Sequence, residues 1–268
     1  MTLVLTELSP AGIAMAADSA ITKFSREGKV VEVDQRGWAK LVRVPSIAAA
    51  VSYWGFVGSV TRVQFDLWLK RVIDREDYED LPSLAQRVAD TLNEAADGKP
   101  LAEGHEVGIH AAGYHQWEDG TRRPFFFHVH NGHGRFVIRD ERVGNRLVSA
   151  HPRWVSEPRK LFEKHQDFPR PGVSVQENMA ILENGYMTRN GDFFIYAVIW
   201  QHMEQALGYI NLVPGVSMPR SPADLNSRKG FLHTMLEMMV RLYRCSNQSR
   251  IVGGTVTSLG IGPNGFLP

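Results

Sequence analysis

The order of elements along the chain predicts an α+β fold in which two stacked, mainly antiparallel sheets are covered on both outer faces by helices. Short apolar runs separated by turn residues come first, then two helical stretches, strands again, two more helical stretches and a closing strand. With 268 residues, 43% of them hydrophobic, the chain can bury a large core as one domain.

The first strand pair runs from Leu3 and from Ile13 to Ala17, with turn residues Ser9-Pro10-Ala11 and Gly12 between. A three-residue loop sets Leu8 against Gly12, makes paired numbers sum to 20, and so places Thr2 opposite Asp18. Lys23 to Gly37 is polar, with a short strand at Val30 to Val33. Trp38 to Val44 and Ile47 to Tyr53 read as paired strands. Ala14, Ala16, Ala17 and Ala48 to Ala50 are small enough for facing backbones to approach closely. Val57 to Arg75 reads as a helix buried on two sides, since Val60, Val63, Leu67 and Phe65, Leu69, Val72, Ile73 cover more than one face.

The next helix carries a single stripe of Leu84, Val88, Leu92 and Ala95, started near Asp80 and Pro82 and ended by Gly98. Strands follow at Val107 to Tyr114, Pro124 to His130 and Arg135 to Arg139, the last two joined by an Asn131-Gly132 turn. His128 and His130 share a face there, with His133 beyond the turn. No cysteine or carboxylate completes a zinc set, and neither a metal nor a cofactor is expected. Residues 144 to 185 read as an insertion within the single domain 1–268, being proline-rich, charged and too long for a routine loop. Asp192 to Leu207 is apolar all round and reads as a buried helix. A connection through Gly208 to Pro222 leads to a last helix over Ala223 to Tyr243, and a strand at Ile251 to Ile261 closes the chain before a Pro-Asn-Gly turn.

A net charge of +1 argues against a nucleic-acid surface or a polybasic membrane face. The single cysteine, Cys245, excludes an internal disulfide framework and fits a reducing cytoplasm. Glu7 interrupts the first apolar run with no basic segment before it, so no signal peptide is expected. The longest uncharged stretch, Val44 to Thr61, contains Pro45, Gly55 and Gly58 and is no membrane span.

The chemistry concentrates at the start of the chain. Removal of Met1 leaves Thr2 with both a hydroxyl and a free α-amine, whose ordinary pKa of about 7.7–8 leaves part of it unprotonated near neutral pH. One residue is then nucleophile and base together. A nearby lysine lowers the pKa of that amine, and an aspartate holds the lysine; Lys40 and Asp18 are the candidates. Each residue alone has an ordinary structural explanation, and their joint placement is what points to a site.

Thr2 through Gly12 to Ala16-Ala17-Asp18-Ser19 and Thr22, then Lys40 before the strand Ile47 to Val51, then Gly55 opening a helix, resembles the start of a proteasome β-subunit and of its bacterial HslV-type relatives. The length and divergent second half are more similar to the betaproteobacterial proteasome homologue than to Anbu. The resemblance implies a four-layer αββα sandwich and an N-terminal-nucleophile hydrolase, a threonine endopeptidase acting on unfolded polypeptides. It makes Thr2 the nucleophile, Asp18 the group that orients Lys40, Gly55 the oxyanion N–H and Tyr53 part of the first specificity pocket. It also implies stacked, heptameric homo-oligomeric rings; whether an ATP-driven unfoldase docks on them is left open by the sequence. The segment between Asp18 and Lys40 is longer than the family pattern. The family's serine before the third helix and its Asp-x-x-Ser pair are absent, Asp192 and Ser249 standing as substitutes. Two rival readings stay open: a ring-forming homologue of weak or no activity, and an amidase of small molecules.

Overall fold

A computed structural model describes residues 2–24, 30–34, 37–61, 63–96, 107–116, 120, 122–131, 137–140, 186–191, 206, 209–216, 223–245 and 252–268. The predicted insertion at 144–185, His133, Asp192, Ser249 and most of the predicted helix from Asp192 lie outside the described residues.

In the first sheet, β1 (Leu3–Ser9) lies between β2 (Gly12–Ala17) and β10 (Tyr186–Gly191); β11 (Thr257–Gly262) and β12 (Gly265–Phe266) follow beyond β2. The second sheet runs β5 (Leu41–Val44), β6 (Ala49–Gly55), β7 (Val107–Gln116), β8 (Arg122–His130) and β9 (Val137–Asp140), every pairing in both sheets being antiparallel. A separate ribbon, β3 (Ile21–Phe24) with β4 (Val30–Asp34), takes up much of the polar segment before Lys40. Helix α1 (Phe65–Ile73) packs on β5 and on α2 (Leu81–Ala95), and α2 lies across β7 and β8; α3 (Leu225–Cys245) lies on β2 and β11. With β1 and β2 facing β5, β6 and β8, the layers are helix, sheet, sheet, helix. This is the α+β sandwich expected from the order of elements.

Alternation along β1 explains the two cores. Leu3 and Leu5, with Ala14 and Ala16, meet Leu232, Met235, Leu236 and Met239 of α3. Leu8, Ile13 and Met15 face the opposite way and join the larger core of the second sheet. Gly12 sits at φ 133°, where a Cβ would come within 2.6 Å of the Ile261 carbonyl oxygen, so the turn and the β11 contact both require glycine.

The register of the first hairpin differs from expectation. Ser9 pairs with Gly12 and Val4 with Ala17, so paired numbers sum to 21 and Leu3, not Thr2, stands level with Asp18. Ser9 belongs to the strand, its hydroxyl donating to the Gly12 carbonyl at 3.0 Å, and only Pro10-Ala11 make the turn. Gly55 opens no α-helix. A 3-10 turn at Val57–Ser59 follows it and α1 begins only at Phe65, because Gly58 and the β-branched Val60, Thr61 and Val63 are poor helix formers. The helix buries one stripe, not two, with Leu67 half exposed. Asp80 starts α2 through a reciprocal capping box with Ser83. The β8–β9 pairing begins at His130 and Val137, too far apart for a two-residue Asn131-Gly132 turn. Asn131 instead ties to β7, its side-chain oxygen accepting the Val107 N–H at 2.7 Å.

Glu7 of β1 and Arg228 of α3 form a buried ion pair across the outer layer. Arg228→Met takes the guanidinium away from the buried Glu7 carboxylate, and is expected to cost about 3–5 kcal/mol in denaturant unfolding. The double change Glu7→Gln with Arg228→Met should recover most of that loss.

Candidate functional site

Asp18 follows directly on β2, where the ladder ends, and its backbone N–H donates to the Leu3 carbonyl at 3.3 Å. Its carboxylate is fully buried and gathers three donors. Oδ1 accepts the Leu3 N–H at 2.9 Å and the Lys40 ammonium at 2.9 Å; Oδ2 accepts the Gly253 N–H at 3.0 Å. Lys40 is also fully buried, and its ammonium donates further to the Ala20 carbonyl. Burial holds the Lys40 pKa below its ordinary value, against the opposing pull of the Asp18 charge and hydrogen bond.

Thr2 is 4% exposed and precedes the residue whose N–H the Asp18 carboxylate holds. Of the residues predicted for the site, Asp18 and Lys40 are thus in direct contact, with Thr2 one residue away along the backbone. Tyr53 and Gly55 lie on β6, which packs against β1 across the sandwich. Gly55 has a φ of 94° at the end of the strand, a conformation that favours glycine. Tyr53 is buried edge-on to Phe65 at 4.8 Å, and its hydroxyl meets no hydrogen-bond partner among the described residues. Burial, reinforced by the charges of Asp66 and Asp18, pushes its phenol pKa upward.

Two contributors were not predicted. The first is the strip Val252 to Thr255, which docks on the residues after β2: Ser19 and Ala20 donate to the Gly253 carbonyl at 3.1 and 3.0 Å, and the Thr255 N–H donates to Ser19 Oγ at 2.7 Å. Two consecutive glycines were the available signal. Gly254 has a φ of 73°, and a Cβ there would lie 2.3 Å from Ser19 Oγ. Gly254→Ala is therefore expected to cost about 1–3 kcal/mol, measured by thermal unfolding, and to loosen the Gly253 donor from Asp18. The second is Asp66 in the first turn of α1, whose Oδ2 accepts the Ala39 N–H at 3.0 Å.

Part of the space between the sheets is lined by polar side chains. His110 Nδ1 lies 3.3 Å from Thr6 Oγ1, and the His110 ring stands 5.2 Å from that of His128, which is 4.9 Å from that of His130. No cluster able to hold a metal occurs among the described residues. No helix among them is long and apolar enough to cross a membrane.

No family model and no curated protein matches the chain. Among solved structures it is similar to Anbu (ancestral beta-subunit) from Yersinia bercovieri, with 12% identity and a TM-score of 0.46 over 97% of this chain and 81% of that one. It is also similar to a Gly-1 mutant of Anbu from Hyphomicrobium sp. strain MC1, with 13% identity and a TM-score of 0.48 over 98% and 82% of the two chains.

Chemically, the arrangement can hold an ammonium group, buried from solvent, at a defined point beside the start of β1. A charge kept there acts on any neighbouring titratable group far more strongly than it would in solvent.

Proposed function

We propose that the protein is a threonine peptidase whose nucleophile is Thr2, exposed as the first residue by removal of Met1. The observation that carries this reading is the buried Asp18 carboxylate, which grips both the Lys40 ammonium and the N–H of Leu3, the residue next to Thr2. A lone ion pair buried for stability alone has little to recommend it, because desolvation cancels most of its attraction. One that sets the electrostatics of an α-amine has a use.

In the mechanism, a peptide lies along the sheet edge as an added strand. The Thr2 amine, kept unprotonated by the neighbouring ammonium, takes the hydroxyl proton as Oγ attacks the scissile carbonyl. The oxyanion is received by the Gly55 N–H, a donor type worth about 2.7–4 kcal/mol to the transition state. The amine then passes its proton to the leaving nitrogen, and water hydrolyses the ester. Tyr53 narrows the first specificity pocket and favours small or medium side chains. Asp192 and Ser249 take the supporting roles around the amine.

A homo-oligomeric ring is part of the proposal. Tyr209, Ile210, Leu212, Val213 and Val216 are all exposed within one short segment, an apolar concentration that marks an interaction surface. Leu212→Asp together with Tyr209→Ser is expected to lower the assembly mass measured by light scattering, with the fold intact by circular dichroism.

The test of the site is a peptide epoxyketone, which needs a hydroxyl and an adjacent primary amine to close its ring adduct. Mass spectrometry of the purified protein should find Met1 absent and the adduct on Thr2. Retained Met1, or a protein left unlabelled, defeats the proposal.

A further inference from the structure

Asp66 stands in the first turn of α1, where an acidic side chain ordinarily serves its own helix. Only half of this one does so. Oδ1 accepts the N–H of Leu67 at 2.9 Å, while Oδ2 leaves the helix to accept the N–H of Ala39 at 3.0 Å. Asp66 itself is buried, 6% exposed, while its two bonds are part-buried because the donors belong to the exposed Ala39 and Leu67.

The place it holds is the backbone immediately before Lys40. Along that stretch Gly37 and Ala39 are exposed, Gly37 with a φ of 87°, while the half-buried Trp38 packs against the larger core. The neighbouring Trp38 N–H donates to the Ser19 carbonyl at 3.3 Å. Consecutive amides are thus anchored in opposite directions, Trp38 to the turn that carries Asp18 and Ala39 to α1. Their joint effect is to set where the Lys40 backbone enters β5 (Leu41–Val44), and so where its ammonium can reach.

We propose that Asp66 is a positioning residue for the Lys40 ammonium, holding it in the pocket between Asp18 and the Ala20 carbonyl by anchoring the Ala39 amide. With Asp66 removed, the Ala39 N–H is released, the segment shifts, and the ammonium leaves its seat. The consequence for catalysis rests on the peptidase reading: a displaced ammonium no longer keeps the Thr2 amine unprotonated, so the acid limb of the kcat/KM profile moves to higher pH. The consequence for Lys40 itself does not depend on that reading.

The experiment compares Asp66→Ala with wild type and with Asp80→Ala, which removes the α2 cap and lowers stability without touching the segment before Lys40. Two readouts are taken: the rate at which a water-soluble acylating reagent modifies Lys40, followed by peptide mass spectrometry, and the pH dependence of peptide hydrolysis. Asp66→Ala is expected to raise Lys40 acylation about tenfold or more and to shift the acid limb upward by about 0.5–1 pH unit. Asp80→Ala should do neither. Asp66→Asn, which keeps one acceptor oxygen, should lie between and serves where Asp66→Ala does not fold. Lys40 acylation at the wild-type rate in both Asp66 variants overturns the proposal, as does an equal rise in Asp80→Ala. Raised acylation with no hydrolysis by wild type leaves Asp66 in this role and removes the peptidase reading instead.

Discussion

Thr2→Ala is expected to abolish peptide turnover, lowering kcat/KM by about 10³-fold or more, since loss of a covalent nucleophile leaves only binding and oxyanion stabilisation. The fold should survive. The substitution removes one methyl and one hydroxyl from a side chain next to β1, while the strand's own ladder to β2 and β10 and the Leu3 N–H bond to Asp18 use backbone that alanine also has. Thr2→Ser separates chemistry from packing. It keeps hydroxyl and amine but loses the γ-methyl that restricts χ1, so a fall of about tenfold is expected from poorer orientation of the nucleophile. Both variants are measured against an internally quenched peptide at saturating and sub-saturating concentration. Alanine at position 2 turning over at the wild-type rate ends the threonine mechanism, whatever the assembly state.

The parts of this site that could be read from residues alone were those where local chemistry and burial agree. Strand residues from Leu3 onward, turn residues at Pro10 and Gly12 and an Asp-Ser pair after Ala17 each define a short-range feature, and β1 and β2 form where they indicate. The register differs by one position from the one the turn residues predict, because the Ser9 hydroxyl satisfies the Gly12 carbonyl and lets the strand continue. A slip of one normally exchanges the faces of a strand. The site tolerates it because Asp18 lies beyond the ladder and turns its carboxylate toward the Leu3 amide. The separation between Asp18 and Lys40 is long, yet the two side chains meet, because residues of β3 and β4 pair with one another outside both sheets. The periodicity around Val57 misled, since apolar residues at helical spacing do not exclude a 3-10 turn when glycine and β-branched residues dominate. Strand β10 was invisible for another reason. Tyr186-Met187-Thr188-Arg189-Asn190-Gly191 has no apolar alternation, and it is a strand because the free edge of β1 supplies its hydrogen bonds. Gly253 and Asp66 act through contacts between segments distant in sequence, which no spacing rule reports.

Asp18→Asn is expected to destabilise the fold by about 3–5 kcal/mol wherever Lys40 is charged, because it takes the counter-charge from an ammonium that is fully buried. The carboxamide cannot repair the loss: one oxygen replaces two, and the new NH2 group points a donor at partners that are all donors themselves. The loss should depend on pH in a defined direction. In the wild type burial already lowers the Lys40 pKa from its ordinary 10.5, and the Asp18 charge and hydrogen bond are what restrain the fall. Removing them lets desolvation act alone, so the folded-state pKa drops further. Between that folded pKa and 10.5 the unfolded chain binds more protons than the folded one, and stability rises with pH. Below the folded pKa both states are protonated and the full cost of the buried charge remains. The destabilisation of Asp18→Asn relative to wild type should therefore be largest below the folded-state pKa of Lys40 in the variant and shrink as the pH is raised through it. Denaturant unfolding of both proteins across that range measures it, with Lys40→Met in the Asp18→Asn background as the control in which the pH dependence disappears. A stability difference that is flat with pH, or one that persists unchanged in the Lys40→Met background, means that the buried ammonium is not the group responsible. The electrostatic basis for an activated amine at Thr2 would then be lost with it.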